Sequence, residues 1–314
     1  MFNEKTKRDY IEYSFDRNDN LEPLMLVLFG NLEKYEQSLD KDCCNFSADE
    51  IIGFYKYLCT PSLERLENIN SQLKYYTSYC LSRNLVKDGA NHYMELNREI
   101  LLSCVNVEFA KKKIVSRSEL LDVVKDLDNP VDKVLILGLF EGIDGDAYRD
   151  FVDMRTINID EKNSSISLSS NRKLSVSERL MSYMKESAET YEYYALNVVE
   201  TSNKRPTYSL IDPYTAEDGK PIFKARSTGH SNGIVTTDLI QRRMIVLKRY
   251  LGADFVTKKA LQASGRIDFI KHLISERNMS LEQAVRDPDL NKRYTRIASL
   301  PRFLEKYGSY FEEG

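Results

Sequence analysis

The chain has 314 residues, of which 42% are hydrophobic and 30% are charged, and its formal net charge is −3. This length can bury a large core and favours about two domains. No apolar run reaches the roughly 18 residues that a membrane-spanning helix needs, and residues 1–9 lack the apolar segment of a signal peptide. We therefore expect a globular protein of the cytoplasm.

The first third of the chain predicts a bundle of helices. Leu21–Glu36 carries apolar residues at helical spacing, Ser47 begins a capping-box pattern, and a third helix begins at Thr60. A fourth helix is expected from about Asn91 to Ser103. The pattern predicts a four-helix domain over residues 1–106.

A basic linker is predicted over residues 107–116. Lys111, Lys112 and Lys113 precede a second capping-box pattern that begins at Ser116. Three consecutive lysines fit a connector that crosses a nucleic-acid backbone, and they fit an ordinary solvated connector equally well.

Residues 117–314 predict helices combined with a small antiparallel sheet. Residues 156–160 and 165–169 alternate in polarity around a polar turn, which indicates a hairpin, and a third strand follows near residues 173–176. The predicted helices cover residues 120–127, 131–140, 176–194, 236–251, 267–276 and 300–307. The fold class is therefore mainly α with a small antiparallel sheet, and the second domain is α+β.

Five cysteines, an odd number, all lie in the first third of the chain without the paired spacing of a zinc site. We expect reduced thiols, no metal and no cofactor. Asp144-Gly145-Asp146 looks like the start of a calcium loop, but the glycine of the sixth loop position is missing. His92, His230 and His272 have no other ligand type at metal-binding spacing.

Positive charge is concentrated towards the C-terminus. Between Lys220 and Lys306 there are 18 Lys and Arg residues against 8 Asp and Glu residues, so this segment carries +10 and the rest of the chain about −13. Such segregation creates a positive field that attracts a polyanion, although solvated helix faces produce the same composition.

Several segments resemble the tyrosine recombinases, the phage integrase family. Residues 134–140 resemble the apolar helix that precedes the family's first catalytic arginine, and residues 151–160 resemble the segment that follows it. Residues 256–264 resemble the start of the helix with the catalytic histidine and second arginine, and residues 291–296 surround Tyr294 as the nucleophile is surrounded. The resemblance covers nearly the whole chain. It implies a two-domain clamp around DNA, with a SAM-like helical core-binding domain and a catalytic-like domain.

The catalytic side chains of that family are replaced in this sequence. Lys259 stands in the place of the histidine, Gln262 in that of the second arginine, and Arg286 in that of a later histidine. Only Tyr294 is retained in its setting. Because losing one donor to a reacting phosphate costs about 100-fold in rate, the resemblance implies that the protein binds DNA without cutting it.

The first catalytic arginine is missing in either alignment of its segment. Aligned on Gly145, its place falls to Ala147, and aligned on Gly142, it falls to Asp144. Arg149 lies two residues later and should face elsewhere, because successive helical residues point about 100° apart.

The predicted DNA contacts are nine basic residues. Arg242 and Arg243 are the candidates for base edges, because the family's corresponding helix lies close to the major groove. In the hairpin, Ser169 or Ser170 stands in the place of the family's catalytic lysine. We expect Arg172 or Lys173 to contact the phosphate in place of that lysine. The full set is Arg172, Lys173, Lys224, Arg226, Arg242, Arg243, Arg249, Lys258 and Lys259.

The preferred interpretation is a sequence-specific transcriptional repressor bound to double-stranded operator DNA. The substitutions resemble those of the lytic-cycle master repressors of SPbeta-type Bacillus prophages, which implies maintenance of lysogeny, a place at the host nucleoid and a phage-encoded regulator as a partner. Tails after the nucleophile are exchanged between protomers in the recombinases, so residues 300–310 are either a homodimer contact or pack within the chain. Two alternatives stay open: an active recombinase with a rearranged active site, and a helical protein-interaction module.

Overall fold

A computed structural model of the chain describes residues 1–15, 21–196, 206–228, 231–294, 303 and 307–311. The chain divides into two compact units, Met1–Lys111 and Lys112–Gly314. Each unit has its own hydrophobic core. The division falls inside the segment 107–116 that was assigned to a linker, and the first five residues of that segment form a helix.

The first unit is helical throughout its described part. It contains α1 (Glu4–Phe15), α2 (Leu21–Leu39), α3 (Ala48–Tyr57), α4 (Leu63–Ser82), α5 (Arg98–Ser103) and α6 (Val107–Lys111), with short 3-10 turns at Cys43–Asn45 and His92–Met94.

Local capping explains where these helices begin. The capping box of Ser47 is confirmed, since its hydroxyl accepts from the backbone of Glu50 and the Glu50 carboxylate accepts in return. The prediction that Thr60 caps the third helix is wrong, because the cap is Ser62 and α4 begins after it. The predicted fourth helix is also too long. Asn97 caps α5, so the preceding residues form only a 3-10 turn.

A buried lysine joins α1, which the sequence analysis missed, to α2. The Lys7 ammonium donates to both carboxylate oxygens of Glu36, 2.6 Å from Oε1, and lies 5.0 Å from the centre of the Phe29 ring. Both side chains of the ion pair are fully buried. Desolvation raises the pKa of Glu36 even with Lys7 beside it. The apolar periodicity of the sequence does not reveal α1, because Lys7 occupies a position on the buried face of that helix.

The second unit is built around a buried helix. Every residue of α8 except Lys133 is buried, as expected for a helix that is apolar on all sides. It packs against α10 and α12. The helices of this unit are α7 (Arg117–Lys125), α8 (Pro130–Phe140), α9 (Arg149–Val152), α10 (Glu178–Glu189), α11 (Thr237–Leu251), α12 (Lys258–Arg277), α13 (Leu281–Val285) and α14 (Pro288–Arg293).

Two small antiparallel sheets complete the second unit. The predicted hairpin and third strand are confirmed as β1 (Ile159–Asp160), β2 (Ser165–Ser167) and β3 (Lys173–Ser175), in which Ile166 pairs with Ile159 and Leu174. The first strand is shorter than predicted, because Thr156–Asn158 forms a 3-10 turn. The second sheet was not predicted. It contains β4 (Glu192–Tyr194), β5 (Thr207–Ile211), β6 (Ala225–Thr228) and β7 (Ser231–Asn232).

The mainly helical fold class is confirmed, but one predicted helix needs correction and another cannot be compared. The predicted helix 176–194 ends at Glu189, and its last residues form a strand instead. The predicted helix 300–307 lies largely outside the described residues. None of the described helices combines the length and the apolar composition that crossing a bilayer requires.

Replacing Lys7 with methionine should destabilise the first unit at neutral pH by about 3 kcal/mol, because Glu36 would be left buried and charged without a cation beside it. Below the ordinary glutamate value of 4.5 the carboxyl is protonated in both folded and unfolded chains, so the loss should vanish as the pH falls towards that value. Urea unfolding at pH 7 and near pH 4.5 measures both effects. Lys5→Met, on the exposed side of the same helix, is the control, and equal losses for the two variants would contradict the prediction.

Candidate nucleic-acid interface

The hydroxyl of Tyr294 is buried in the core of the second unit. Tyr294 follows α14 directly and is 3% exposed. Its hydroxyl donates to the backbone carbonyl of Phe140, the last residue of α8, at 2.5 Å. Burial raises the pKa of the phenol, which disfavours the phenolate that would act as a nucleophile. In this conformation the hydroxyl is a structural hydrogen-bond donor.

Helix α12 covers this hydrogen bond at Gly265. A Cβ atom at Gly265 would lie 1.7 Å from the carbonyl oxygen of Phe140 and 2.5 Å from the hydroxyl of Tyr294. Any side chain at this position would therefore collide with the backbone of α8. The absence of a side chain is what allows the two helices to approach so closely.

Arg172 forms hydrogen bonds inside the protein instead of facing solvent. Its Nη2 donates to the buried carboxylate of Asp150 at 2.7 Å, and its side chain is 15% exposed. Asp150 also accepts from the hydroxyls of Ser169 at 3.0 Å and Ser170 at 3.1 Å. The hairpin residues that stand at the family's lysine position therefore hold a carboxylate.

Arg172 and Arg293 also hold the backbone just before Tyr294 by hydrogen bonds to carbonyl oxygens. Arg172 donates from Nη1 to the carbonyl oxygen of Arg293 at 3.0 Å. Arg293 in turn donates to the carbonyl oxygens of Glu141 at 2.7 Å and Ser175 at 2.6 Å. Both guanidinium groups are thus committed to protein acceptors, which argues against the predicted DNA contact of Arg172.

The segment expected to carry the first catalytic arginine has an unusual backbone. Ala147 and Tyr148 both adopt positive φ angles, 47° and 70°, which are uncommon for residues with a side chain. Helix α9 then begins at Arg149. Its exposed guanidinium pairs with Asp153 at 2.9 Å. The helical spacing on which its direction was predicted does not hold here, because Ala147 and Tyr148 interrupt the helix.

The start of α12 carries two of the replaced catalytic positions. Gln262 donates to one carboxylate oxygen of Asp144 at 2.5 Å, and Lys258 forms an ion pair with the other. The Lys258 ammonium also lies 4.9 Å from the centre of the Tyr148 ring. Lys259 is exposed, and no described residue pairs with it. Of the two predicted lysine contacts at the start of α12, Lys258 is paired within the protein, and Lys259 has no partner among the described residues.

Lys224 is wrong as a predicted DNA contact. It is 1% exposed, and its ammonium donates to the carbonyl oxygens of Ser187 at 2.8 Å and Ala188 at 2.7 Å, near the C-terminal end of α10. Lys224 directly precedes β6. Burial lowers the pKa of Lys224 to about 8.

Arg243, predicted as a candidate for base edges, lies in a buried network instead. Its side chain is 9% exposed, its Nε lies 3.7 Å from Asp132, and its guanidinium lies over the Tyr193 ring at 4.7 Å. Asp132 is fully buried and accepts from Tyr193 at 3.1 Å and Asn129 at 2.9 Å. Arg243 therefore belongs to a buried network between α8, α11 and β4, and it cannot reach base edges.

The remaining predicted contacts are exposed. Arg242 and Arg249 lie on the solvent side of α11, and no described residue pairs with either. Lys173 is 57% exposed and pairs with Asp160 at 3.0 Å. Arg226 is exposed and stacks on the Tyr208 ring. Together with Lys259, these residues form the candidate DNA surface.

Arg286, at the place of the later catalytic histidine, is exposed and pairs with Glu282 at 2.8 Å on α13.

One group of metal-ligand type occurs among the described residues, formed by Glu36, Asp42 and Cys43 in the first unit. The Lys7 ammonium already neutralises Glu36, and burial raises the pKa of the Cys43 thiol, so this group is poorly suited to a cation.

Gly265→Ala should destabilise the second unit by about 3 kcal/mol, because the added methyl group displaces the Phe140 carbonyl and the Tyr294 hydroxyl. Chemical unfolding of the intact chain measures the loss. Gly308→Ala is the control in the same unit, since no heavy atom lies within 4 Å of the added methyl group. A Gly265 variant as stable as the Gly308 variant would show that α12 does not pack as described.

Comparison with known proteins agrees with this architecture. The family model described as "MrpR, C-terminal catalytic domain" matches residues 114–294, and the one described as "MrpR, N-terminal core-binding domain" matches residues 1–82. The chain is also similar to the "SPbeta prophage-derived uncharacterized protein YopR" of Bacillus subtilis (strain 168), with 21% identity over 320 residues that cover all of this chain and 94% of the relative. The resemblance predicted from the motifs is confirmed, and the chain belongs to the MrpR family.

Proposed function

We propose that this protein is a transcriptional repressor that binds double-stranded DNA in a sequence-specific manner and does not cut it. The observation that carries the proposal is the buried hydroxyl of Tyr294, hydrogen-bonded to Phe140 beneath Gly265. A phenol in this position is not available for attack on a phosphodiester, since its hydroxyl is buried and bound to the backbone of α8.

The electrostatics of the surrounding residues support the absence of cleavage. Attack on a phosphodiester needs fixed cationic donors on the non-bridging oxygens and a proton donor for the leaving hydroxyl. Arg172 and Lys258, the cations near the corresponding positions, are paired with Asp150 and Asp144. A phosphate at these positions would meet carboxylates as well as cations, so its charge would be poorly stabilised.

Binding to DNA makes weaker demands than catalysis, because exposed cations gain affinity by displacing condensed counterions from the phosphates. Arg242, Arg249, Lys259, Lys173 and Arg226 are exposed, and they supply the cationic surface for this purpose. The net charge of +10 between residues 220 and 306 supports a polyanion as the partner.

The biological role that we infer is the maintenance of prophage lysogeny in the bacterial cytoplasm, with the protein at operators in phage DNA. It is supported by membership of the MrpR family and by the similarity to the SPbeta prophage-derived protein YopR. A homodimer and a phage-encoded regulator remain proposed partners, and the candidate dimer segment 300–310 lies largely outside the described residues.

Removing Arg242 and Arg249 together should weaken duplex binding and lower the slope of log affinity against log salt concentration by about two, since each lost cation releases about one counterion fewer. Fluorescence titrations with a duplex selected from phage and host DNA, between low and moderate salt, measure the slope. Lys125→Ala with Lys185→Ala removes the same charge from exposed ion pairs elsewhere in the unit and should leave the slope unchanged. If the slope were unaltered in the Arg242 and Arg249 variant, α11 would not be part of the DNA-binding surface.

Tyr294→Phe should bind the same duplex as tightly as the wild type and should be less stable by about 1 kcal/mol, because only a structural hydrogen bond is lost. Wild-type protein incubated with a nicked suicide duplex should give no covalent protein–DNA product on a denaturing gel. If such a product formed with the wild type and disappeared in Tyr294→Phe, the protein would be an active recombinase with a rearranged active site.

A further inference from the structure

The solvent side of α11 has a composition that suits one kind of partner. Its inward residues Ile240, Met244 and Leu247 are buried. The residues one quarter to one half turn away, Gln241, Arg242, Ile245 and Arg249, are not buried, and three of them are polar or cationic. The hydrophobic exception, Ile245, is 46% exposed.

Ile245 lies between two arginines on the same face of the helix. It follows Arg242 by three residues and precedes Arg249 by four, and these are the spacings at which helical side chains are neighbours. No described residue pairs with either guanidinium. A partner that fits this face must offer negative charge on both sides and an apolar group in the middle. Asp238, exposed one turn earlier, is the acidic residue of this face.

The major groove of duplex DNA offers this combination. The face between Arg242 and Arg249 is about 10 Å long at 1.5 Å per residue, which corresponds to about three base-pair steps, and the groove is wide enough to admit an α-helix. Phosphates flank the groove, and the 5-methyl group of thymine is an apolar group on its floor. An acidic protein surface would satisfy the arginines but would bury Ile245 against charge.

We propose that Ile245 is a specificity-determining residue that contacts a thymine 5-methyl group in the major groove, with Arg242 and Arg249 bound on either side to phosphates or guanine and Gln241 within reach of an adjacent base. The proposal rests on the DNA-binding function proposed above and adds a chemical identity for the base that is read. It predicts that thymine is preferred over uracil at this position, and contacts to the phosphates alone cannot produce that preference.

Uracil differs from thymine only by this methyl group, so it isolates the contact. The binding site is first selected from a random duplex pool with full-length wild-type protein, and the selected duplex is then synthesised with each thymine replaced in turn by uracil. At one or two positions the wild type should bind the uracil duplex about fourfold more weakly, the value for one apolar carbon removed from water. Ile245→Ala should bind the thymine and uracil duplexes equally at those positions.

Ile157→Ala is the matched control, because Ile157 is also an exposed isoleucine of the second unit, at 65%, and lies outside α11. It should keep the full discrimination between thymine and uracil. The proposal is overturned if uracil weakens the wild type at no position, or if Ile245→Ala retains the wild-type loss, while salt-sensitive duplex binding persists. Absence of any selected duplex would overturn the proposed function as well.

Discussion

The hydrogen bond from Tyr294 to the Phe140 carbonyl is the contact on which the interpretation of the second unit depends. It ties the end of α14 to the end of α8, and Gly265 of α12 closes over it. Three helices meet at one buried phenol. In a protein interior a satisfied hydroxyl is a packing element as well as a polar group, and here it fixes the distance between helices.

The same unit directs several of its cations inward. Arg172 binds Asp150, and Lys258 binds Asp144. Burying a charge is costly unless it is paired, so each cation is accompanied by a carboxylate. Arg242 and Arg249 on α11 and Lys259 at the start of α12 are among the cations that remain exposed. On the proposed function, cations near the tyrosine stabilise the fold and exposed cations bind DNA.

Local signals in the sequence predicted what depends on a few neighbouring residues. The capping boxes at Ser47 and Ser116 and the hairpin around Ile166 are confirmed, because a cap or a tight turn is determined within about four residues. Features that depend on distant partners were missed. The side chain of Arg243 pairs with buried Asp132, which lies far earlier in the chain, and the ammonium of Lys224 donates to carbonyl oxygens near the end of α10. The second sheet escaped prediction because more than ten residues separate β4 from β5 and β5 from β6, so no tight turn in the sequence marks these pairs as hairpins.

Gly265 has an evolutionary consequence. Restoring an arginine at Ala147 or Gln262 would not by itself reopen the phenol of Tyr294, because α12 would still seal it against α8. On the proposed function, substitutions of the exposed residues of α11 can change the recognised DNA sequence without disturbing this packing, whereas exposing the phenol requires the packing itself to change.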